Sequence, residues 1–130
     1  MSQPVQIQKQ ASDEAIRSFK WMWDSFPHVV LLLNQSRTIQ AVNRMGRDLG
    51  IIPGTKCYEL TQANGVHPVC KADAALKDGQ SRRSTGANNG RVLDSYWLPL
   101  EGDEGLYIHF AIDITKYAKE ELLENQSNEG

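Results

Sequence analysis

The sequence has only two cysteines, no long apolar run and little net charge, and each of these shortages excludes a class of protein. Its longest apolar run, residues 29–33 (VVLLL), has the length of a strand, whereas a membrane-spanning helix needs about 20 residues. A net charge of −2 and a pI near 5.9 give no general attraction to nucleic acid or anionic lipid. The first ten residues lack the apolar core of a secretory signal. We therefore expect a cytosolic chain without a nucleic-acid partner or a membrane span.

Patterns typical of catalysis are also missing. No Ser-His-Asp or Cys-His arrangement has a recognisable local signature, and no glycine-rich loop is spaced to hold phosphate. The acidic residues fall mostly at helix ends and in turns, where capping and solvation explain them. The sequence therefore predicts a protein that is not an enzyme.

The beginning of the chain predicts a loose tail over residues 1–11 and an amphipathic helix over residues 12–26. Ser12 is placed to cap the helix, and two acidic residues follow where the helix dipole favours negative charge. Apolar residues recur at three- and four-residue steps and form one stripe. The stripe consists of Ile16, Phe19, Trp23 and Phe26. Pro27 ends the helix.

The rest of the chain alternates between strand and helix signals. Residues 29–33 and 38–43 predict a hairpin, and residues 44–80 predict a patch of short helices. Three more strands are predicted over residues 81–87, 91–100 and 106–113, separated by the turn signals NNG and EGDEG. From residue 115 the chain is rich in good helix formers. With 130 residues, this order predicts a single antiparallel α+β domain.

Four segments carry a resemblance to a known family through their order and spacing. They are FPHVVLLLNQSRTIQAVN, DLGIIPGTKCYEL, KDGQ and LDSYWLPLEGDEGLYIHFAIDITKYAKEEL. Together they resemble a PAS/PAC-type domain, the sensory module of bacterial histidine kinases and diguanylate cyclases. The tripeptide at residues 113–115 (DIT) is the most telling piece, because it commonly joins a PAS core to its signalling helix. Asn43 and Gly50 also match residues that recur in the family.

The resemblance implies a five-stranded antiparallel sheet with short helices on one face, plus N-terminal and C-terminal flanking helices. Residues 27–113 would form the PAS core, and residues 114–130 would form a linker helix and tail. It further implies a homodimer and a downstream histidine kinase or GGDEF-type output domain, with Asp113, Ile114 and Thr115 as the signal linker. One departure lies in the first hairpin, where the family usually carries Asp and Gly and this chain has Asn34 and Arg37.

The segment from Cys57 to Cys70 holds both thiols, with His67 between them. Some relatives place a Pro-Cys-x-x-Cys cluster here, but this chain keeps only Cys70 of it. A structural zinc site or an iron–sulfur cluster needs four ligands, and Asp73 or Glu59 would be a weak fourth. The favoured interpretation is a connector with two partly buried thiols. A redox-responsive pair is the main alternative, and it needs Cα atoms within about 7 Å.

Two further features are candidates for a ligand contact and for an interface. His109 lies in the middle of the last strand and is favoured as an ordinary strand residue over a haem or ligand contact. Trp21, Met22 and Trp23 occupy adjacent helical positions, so at least one of them should project outward. The predicted dimer interface consists of Ile16, Phe19, Trp21, Met22 and Trp23.

The leading hypothesis is a PAS sensory and dimerisation domain that binds a small ligand in an internal cavity. Binding would change the strand and linker at residues 113–115 and hence the exit helix. Strand parity and the family layout give the pocket candidates Ile39, Ala41, Leu49, Tyr58, Leu76, Trp97 and Ile108. The alternatives are a ligand-free protein-interaction module, or a redox sensor that uses haem, flavin or a Cys/His-bound metal. The sequence identifies no particular cofactor.

Overall fold

The computed structural model describes residues 9–61, 70–88 and 90–118, whose five strands form one antiparallel sheet in the spatial order β2-β1-β5-β4-β3. The strands are β1 (Val30–Asn34), β2 (Ile39–Val42), β3 (Arg82–Asn88), β4 (Arg91–Pro99) and β5 (Leu106–Asp113). The helices are α1 (Asp13–Trp23), α2 (Arg44–Asp48) and α3 (Ala72–Asp78), and two 3-10 turns span Cys57–Thr61 and Thr115–Tyr117. The predicted fold class is confirmed. No helix in the described ranges is both long and apolar enough to cross a membrane.

The sheet is covered on both faces, because alternate residues of β1 belong to two different apolar clusters. Leu31 and Leu33 pack with α3 and with residues near the first 3-10 turn, and we call this side the helix-patch face. Val30 and Leu32 pack with α1, and we call this side the α1 face. A central strand with apolar residues on both sides reads as a continuous run, which explains VVLLL.

The α1 helix forms where the sequence predicts it and lies along the sheet through its apolar stripe. The Ser12 hydroxyl accepts a hydrogen bond from the Ala15 N–H at 3.1 Å and caps the first turn. Phe19 is buried in the α1 face, and Ile16 and Trp23 pack at its margin. The helix ends at Trp23, three residues before the predicted end at residue 26.

A bulge in the first hairpin changes which side chains reach which face. Leu33 pairs with Ile39, but Leu32 pairs with Ala41, so Gln40 is the extra residue. Ile39 therefore belongs to the helix-patch face and Ala41 to the α1 face. Strict alternation would place Ile39 and Ala41 on the same face, and it fails here because of the bulge.

Asn43 fixes the connection between α1 and the sheet. Its side-chain oxygen accepts hydrogen bonds from the N–H groups of Val30 at 3.0 Å and Gly46 at 3.3 Å. Its amide nitrogen donates to the carbonyls of Trp23 at 3.0 Å and His28 at 2.8 Å. A fully buried amide with this many partners holds the α1–β1 loop and the start of α2 in place.

Candidate functional site

The site starts from the tight turn between β1 and β2. The Asn34 side-chain oxygen accepts hydrogen bonds from the N–H groups of Ser36 at 3.0 Å and Thr38 at 3.1 Å. Arg37 completes the turn with a φ of 65°, and it is the one residue other than glycine with positive φ in the described ranges. Left-handed backbone costs a residue with a Cβ about 1–2 kcal/mol, which explains why related hairpins usually carry Gly there. The positive φ therefore marks Arg37 as a residue whose side chain needs an explanation.

The Arg37 side chain runs into the protein instead of into solvent. Only 8% of it is exposed, although it carries a full charge. One terminal nitrogen, Nη1, donates to Asp73 Oδ1 at 3.0 Å, and the other, Nη2, lies 3.7 Å from the Cys70 Sγ. Burial opposes the charge, but the bonds to Asp73 and Cys70 outweigh burial and raise the pKa of the guanidinium. Arg37 therefore stays a buried cation, partly balanced by an exposed carboxylate.

Two polar atoms in this region have no hydrogen-bond partner within residues 9–61, 70–88 and 90–118. They are Nε of Arg37 and the hydroxyl of Tyr107 on β5. Burial, followed by the nearby thiols Cys57 and Cys70, raises the pKa of Tyr107, so its hydroxyl remains a proton donor. An unpaired buried polar group costs about 1–3 kcal/mol, so two such donors in one region need an explanation.

The two thiols complete this group, which we call the Arg37 cluster: Arg37, Cys57, Cys70, Asp73 and Tyr107. The Cys57 N–H donates to the Arg37 carbonyl at 3.0 Å, which holds the 3-10 turn against the hairpin. Both cysteines are free, half-buried and packed on the helix-patch face. Burial raises the pKa of Cys57 to about 11, so this thiol is neutral at pH 7.

A metal site in the cysteine segment finds no support in the described residues. His67 lies outside them, and Glu59 is exposed. Within the described ranges, no three His, Cys, Asp or Glu side chains group closely enough to hold a metal ion.

The predicted pocket residues do not all meet. Ile39, Leu76 and Trp97 pack on the helix-patch face next to the Arg37 cluster, and Tyr58 is half-buried on the first 3-10 turn. Ala41 and Ile108 pack under α1 on the opposite face, so their assignment to this pocket was wrong. The sequence could not settle the face of Ile108, because both faces of β5 are covered. Leu49 is exposed and lines an open surface depression of about 420 Å³ with Ile52 and Leu60.

His109 is held as a structural residue of β5. Its ring stacks on the indole of Trp97, with centroids 4.8 Å apart and planes 16° from parallel. Its Nδ1 lies 2.8 Å from the Tyr96 carbonyl oxygen, within hydrogen-bonding distance. These contacts account for a histidine in the middle of the strand.

The linker tripeptide is tied to the beginning of β4. The carboxylate of Asp113 accepts hydrogen bonds from the Thr115 N–H and hydroxyl, and these bonds lower the pKa of Asp113. The Thr115 hydroxyl in turn accepts from the Val92 N–H at 2.8 Å, and the Ile114 N–H donates to the Val92 carbonyl at 2.9 Å. The chain then forms the second 3-10 turn. The predicted exit helix falls mainly on residues 119–130, outside the described ranges.

The predicted interface residues of α1 divide into two groups. Ile16, Phe19 and Trp23 contact the sheet, whereas Trp21 is 88% exposed and Met22 is 63% exposed. Only the second group is free to contact another molecule. Arg37 and Tyr107, by contrast, were not predicted as site residues. An arginine where the family's hairpin carries Gly was the available signal.

Neither a family model nor a curated protein matches the chain. A sensory box sensor histidine kinase from Vibrio cholerae has a similar structure, with a TM-score of 0.55 at 16% identity over 77% of this chain and 89% of that one. A domain of an HTR-like protein from Haloarcula marismortui gives 0.47 at 21% identity over 68% and 98%. A PAS domain of an HTR-like protein from the same organism gives 0.42 at 17% identity over 79% and 100%. The first of these similarities shows a shared fold.

Proposed function

We propose that this chain, which has the fold of a PAS domain, is a non-catalytic sensory domain that binds a small ligand beside the Arg37 cluster. The observation that carries the proposal is the pair of unpartnered buried donors, Arg37 Nε and the Tyr107 hydroxyl. Both groups can donate a hydrogen bond, and neither carries a negative charge. The ligand class that satisfies both is a small carboxylate, because a guanidinium pairs with carboxylate oxygens at two points. Ile39, Leu76 and Trp97 would form the apolar wall.

Tyr107 would also start the path by which ligand binding reaches the output domain. Tyr107 lies on β5, and β5 leads directly into the linker at Asp113, Ile114 and Thr115. A ligand that pulls on Tyr107 would change the bonds that tie Thr115 to Val92. Such coupling requires unequal affinity of the ligand for two arrangements of the linker. The module that receives the change would be a histidine kinase or a GGDEF-type domain, in line with the sensor kinase whose fold this chain shares.

The test is a thermal unfolding screen with acetate, succinate and glutarate, with the matching neutral amides as controls. A carboxylate present at about 100 times its dissociation constant should stabilise the chain by about 2.7 kcal/mol, and the amide should not. Arg37→Met should remove the stabilisation. Amide cross-peaks of residues 113–115 should shift in NMR spectra when the same carboxylate binds. Equal stabilisation of Arg37→Met, or of the chain by the amides, would count against the proposal.

The exposed part of α1 favours a second activity, homodimerisation. Trp21 and Met22 present a large apolar surface next to each other, which is unusual for a helix that already buries its other face. Exposed Trp is also the residue type most enriched at the centres of interfaces. In this proposal two copies of α1 meet through these residues.

Sedimentation of Trp21→Ala tests the dimer. The substitution should weaken association at least about tenfold, whereas Lys20→Ala on the same helix should leave it unchanged. Trp23 is a poor choice for this purpose, because it packs against Phe26 and Phe110 and its loss would damage the fold. A chain that stays monomeric at all concentrations would refute the dimer.

A further inference from the structure

Cys57 and Cys70 both contact Arg37, but they contact different parts of it. The Arg37 backbone carbonyl accepts the Cys57 N–H, and the Arg37 guanidinium lies against the Cys70 sulfur at 3.7 Å. Both thiols pack on the same apolar cluster, which contains Trp97 and Tyr107. The sequence alone gave no reason to prefer a reactive pair over two ordinary thiols, because nothing in it placed a cation at either sulfur.

The two thiols differ in their surroundings, and the difference separates their roles. The Cys70 sulfur has the Arg37 guanidinium as a direct partner at 3.7 Å, and a cation beside the sulfur is typical of reactive cysteines. The N–H groups of Cys57 and Arg37 hold the turn geometry, but no cation contacts the Cys57 sulfur among the hydrogen bonds and ion pairs of the described residues. Cys57 is instead kept as a neutral thiol by burial.

The surroundings of Cys70 also suit an oxygen acceptor. Nε of Arg37 and the hydroxyl of Tyr107 are unpartnered donors in the same cluster. Donors of this kind stabilise the oxygen atoms of a peroxide while negative charge develops on them. A peroxide is small, and it needs no cavity of the size that a metabolite requires.

We propose that Cys70 is a peroxide-reactive cysteine and that Cys57 is the residue that resolves it to an intramolecular disulfide. The Cys70 thiolate attacks one oxygen of hydrogen peroxide, the O–O bond breaks, and the departing hydroxide takes up a proton to give water. Cys70 becomes a sulfenic acid. The Cys57 sulfur then attacks the Cys70 sulfur, the S–S bond forms, and the S–O bond breaks. The leaving hydroxide accepts the Cys57 proton, so two thiols and one peroxide give one disulfide and two waters.

The disulfide would join the first 3-10 turn to the residue that precedes Lys71, the N-cap of α3. It would also remove the sulfur contact of Arg37, which leaves the guanidinium to Asp73 and Gln35 alone. The Arg37 cluster includes Tyr107 of β5, so oxidation would act on the strand that leads to the linker. This reaction needs no carboxylate ligand, and it can be measured with none present.

The experiment is treatment of the reduced full chain with equimolar hydrogen peroxide, followed by alkylation and intact mass spectrometry. The chain should lose the mass of two hydrogen atoms and both alkylatable thiols, and dithiothreitol should restore them. Cys57→Ser should stop at a sulfenic acid on Cys70 that dimedone traps. Cys70→Ser should consume peroxide at least about tenfold more slowly. Arg37→Met should slow the first step by a similar factor, and Arg37→Lys should slow it less because it keeps the charge.

Three results would overturn the proposal. Thiols that remain alkylatable after peroxide would exclude the reaction, and a disulfide that joins two chains would exclude the intramolecular pair. Equal rates for Cys57→Ser and Cys70→Ser would exclude the assigned order. Circular dichroism of each variant before treatment keeps misfolding separate from lost reactivity. A chain that forms the disulfide but is not stabilised by carboxylates would keep this reaction and refute the ligand proposed above.

Discussion

The two faces of the sheet bury different types of side chain. On the α1 face, aromatic rings pack edge-to-face and stacked, through Trp23, Phe26, Phe110 and Tyr96. On the helix-patch face, apolar side chains surround a buried arginine, two thiols and a phenol. One buried donor on the α1 face also lacks a partner in the described ranges, the indole N–H of Trp23. That donor is neutral, whereas the unpartnered Nε on the helix-patch face belongs to a charged guanidinium.

The comparison indicates that the α1 face contributes mainly to stability and the helix-patch face to reactivity. Burying aromatic rings stabilises the fold in proportion to the apolar area removed from water. It provides no charged or nucleophilic group for binding or reaction. Burying a guanidinium costs free energy that only its hydrogen-bond and ion-pair partners offset. A buried arginine is therefore expected where its charge has a function. We therefore expect substitutions on the α1 face to change stability, and substitutions in the Arg37 cluster to change binding and thiol chemistry more than stability.

The largest effect should come from Phe19→Ala on the α1 face. Phe19 is buried between α1 and the sheet, and removing its ring leaves a cavity that should cost about 3–5 kcal/mol of unfolding free energy. Lys20→Ala on the same helix is the control, because Lys20 is exposed and its replacement should cost less than about 0.5 kcal/mol. Urea unfolding measures both. Equal costs would mean that α1 does not hold the sheet through Phe19.

A smaller effect, dependent on pH, should follow from Asp94→Asn. The Asp94 carboxylate accepts hydrogen bonds from Arg83 Nε at 2.7 Å, from the Tyr96 hydroxyl at 2.8 Å and from the Thr85 hydroxyl at 3.0 Å. The bond from Arg83 is the largest cause of the lowered pKa of Asp94. We expect a cost of about 1–3 kcal/mol for losing this charged acceptor.

The sign of the pH dependence follows from the direction of that shift. A pKa that is lower in the folded state than in the unfolded state adds stability above the ordinary value near 3.8. That stability disappears as the pH falls through the folded value. The difference between the native chain and Asp94→Asn should therefore be full at pH 6 and shrink as the pH falls below about 3.8. Asp103→Asn, which breaks a surface ion pair with Lys9, should cost less than about 1 kcal/mol at either pH.

Arg37 allows the strain of the turn to be separated from the side chain. Arg37→Ala and Arg37→Gly both remove the guanidinium, but only Gly adopts a φ of 65° without strain. The Gly variant should be more stable than the Ala variant by about 1 kcal/mol, and both should lose carboxylate binding. Denaturant unfolding of the two variants measures the difference. A more stable Ala variant would show that the turn is not strained at this position.

The smallest effect should come from Tyr107→Phe. The Tyr107 hydroxyl has no partner in the described residues, so its removal should leave the unfolding free energy within about 1 kcal/mol of the native value, or raise it, since a buried unsatisfied group is lost. Loss of a made hydrogen bond would instead lower it. Urea unfolding in the absence of carboxylates is the measurement, and a drop of more than about 1.5 kcal/mol would show that the hydroxyl has a partner.

Much of the architecture was readable because the signals were local. The cap at Ser12, the apolar stripe of α1, the turn signals and the strand at residues 106–113 each lie within a few residues of what they predict. The resemblance to PAS domains then supplied the five-stranded antiparallel sheet, which the structure has, whereas the spatial order of the strands was not predicted. The faces of Ala41 and Ile108 were missed because one bulge and one packed helix decide them.

The sequence by itself determined the kinds of element, their order and the amphipathic character of α1, since these follow from spacings of a few residues. Only the tertiary structure decided that Arg37 turns inward and contacts Cys70 and Asp73. Those residues are far apart in the chain, and no local pattern links them. Their meeting depends on the hairpin, α3 and β5 packing together, and a contact of that kind exists only once the whole sheet has formed.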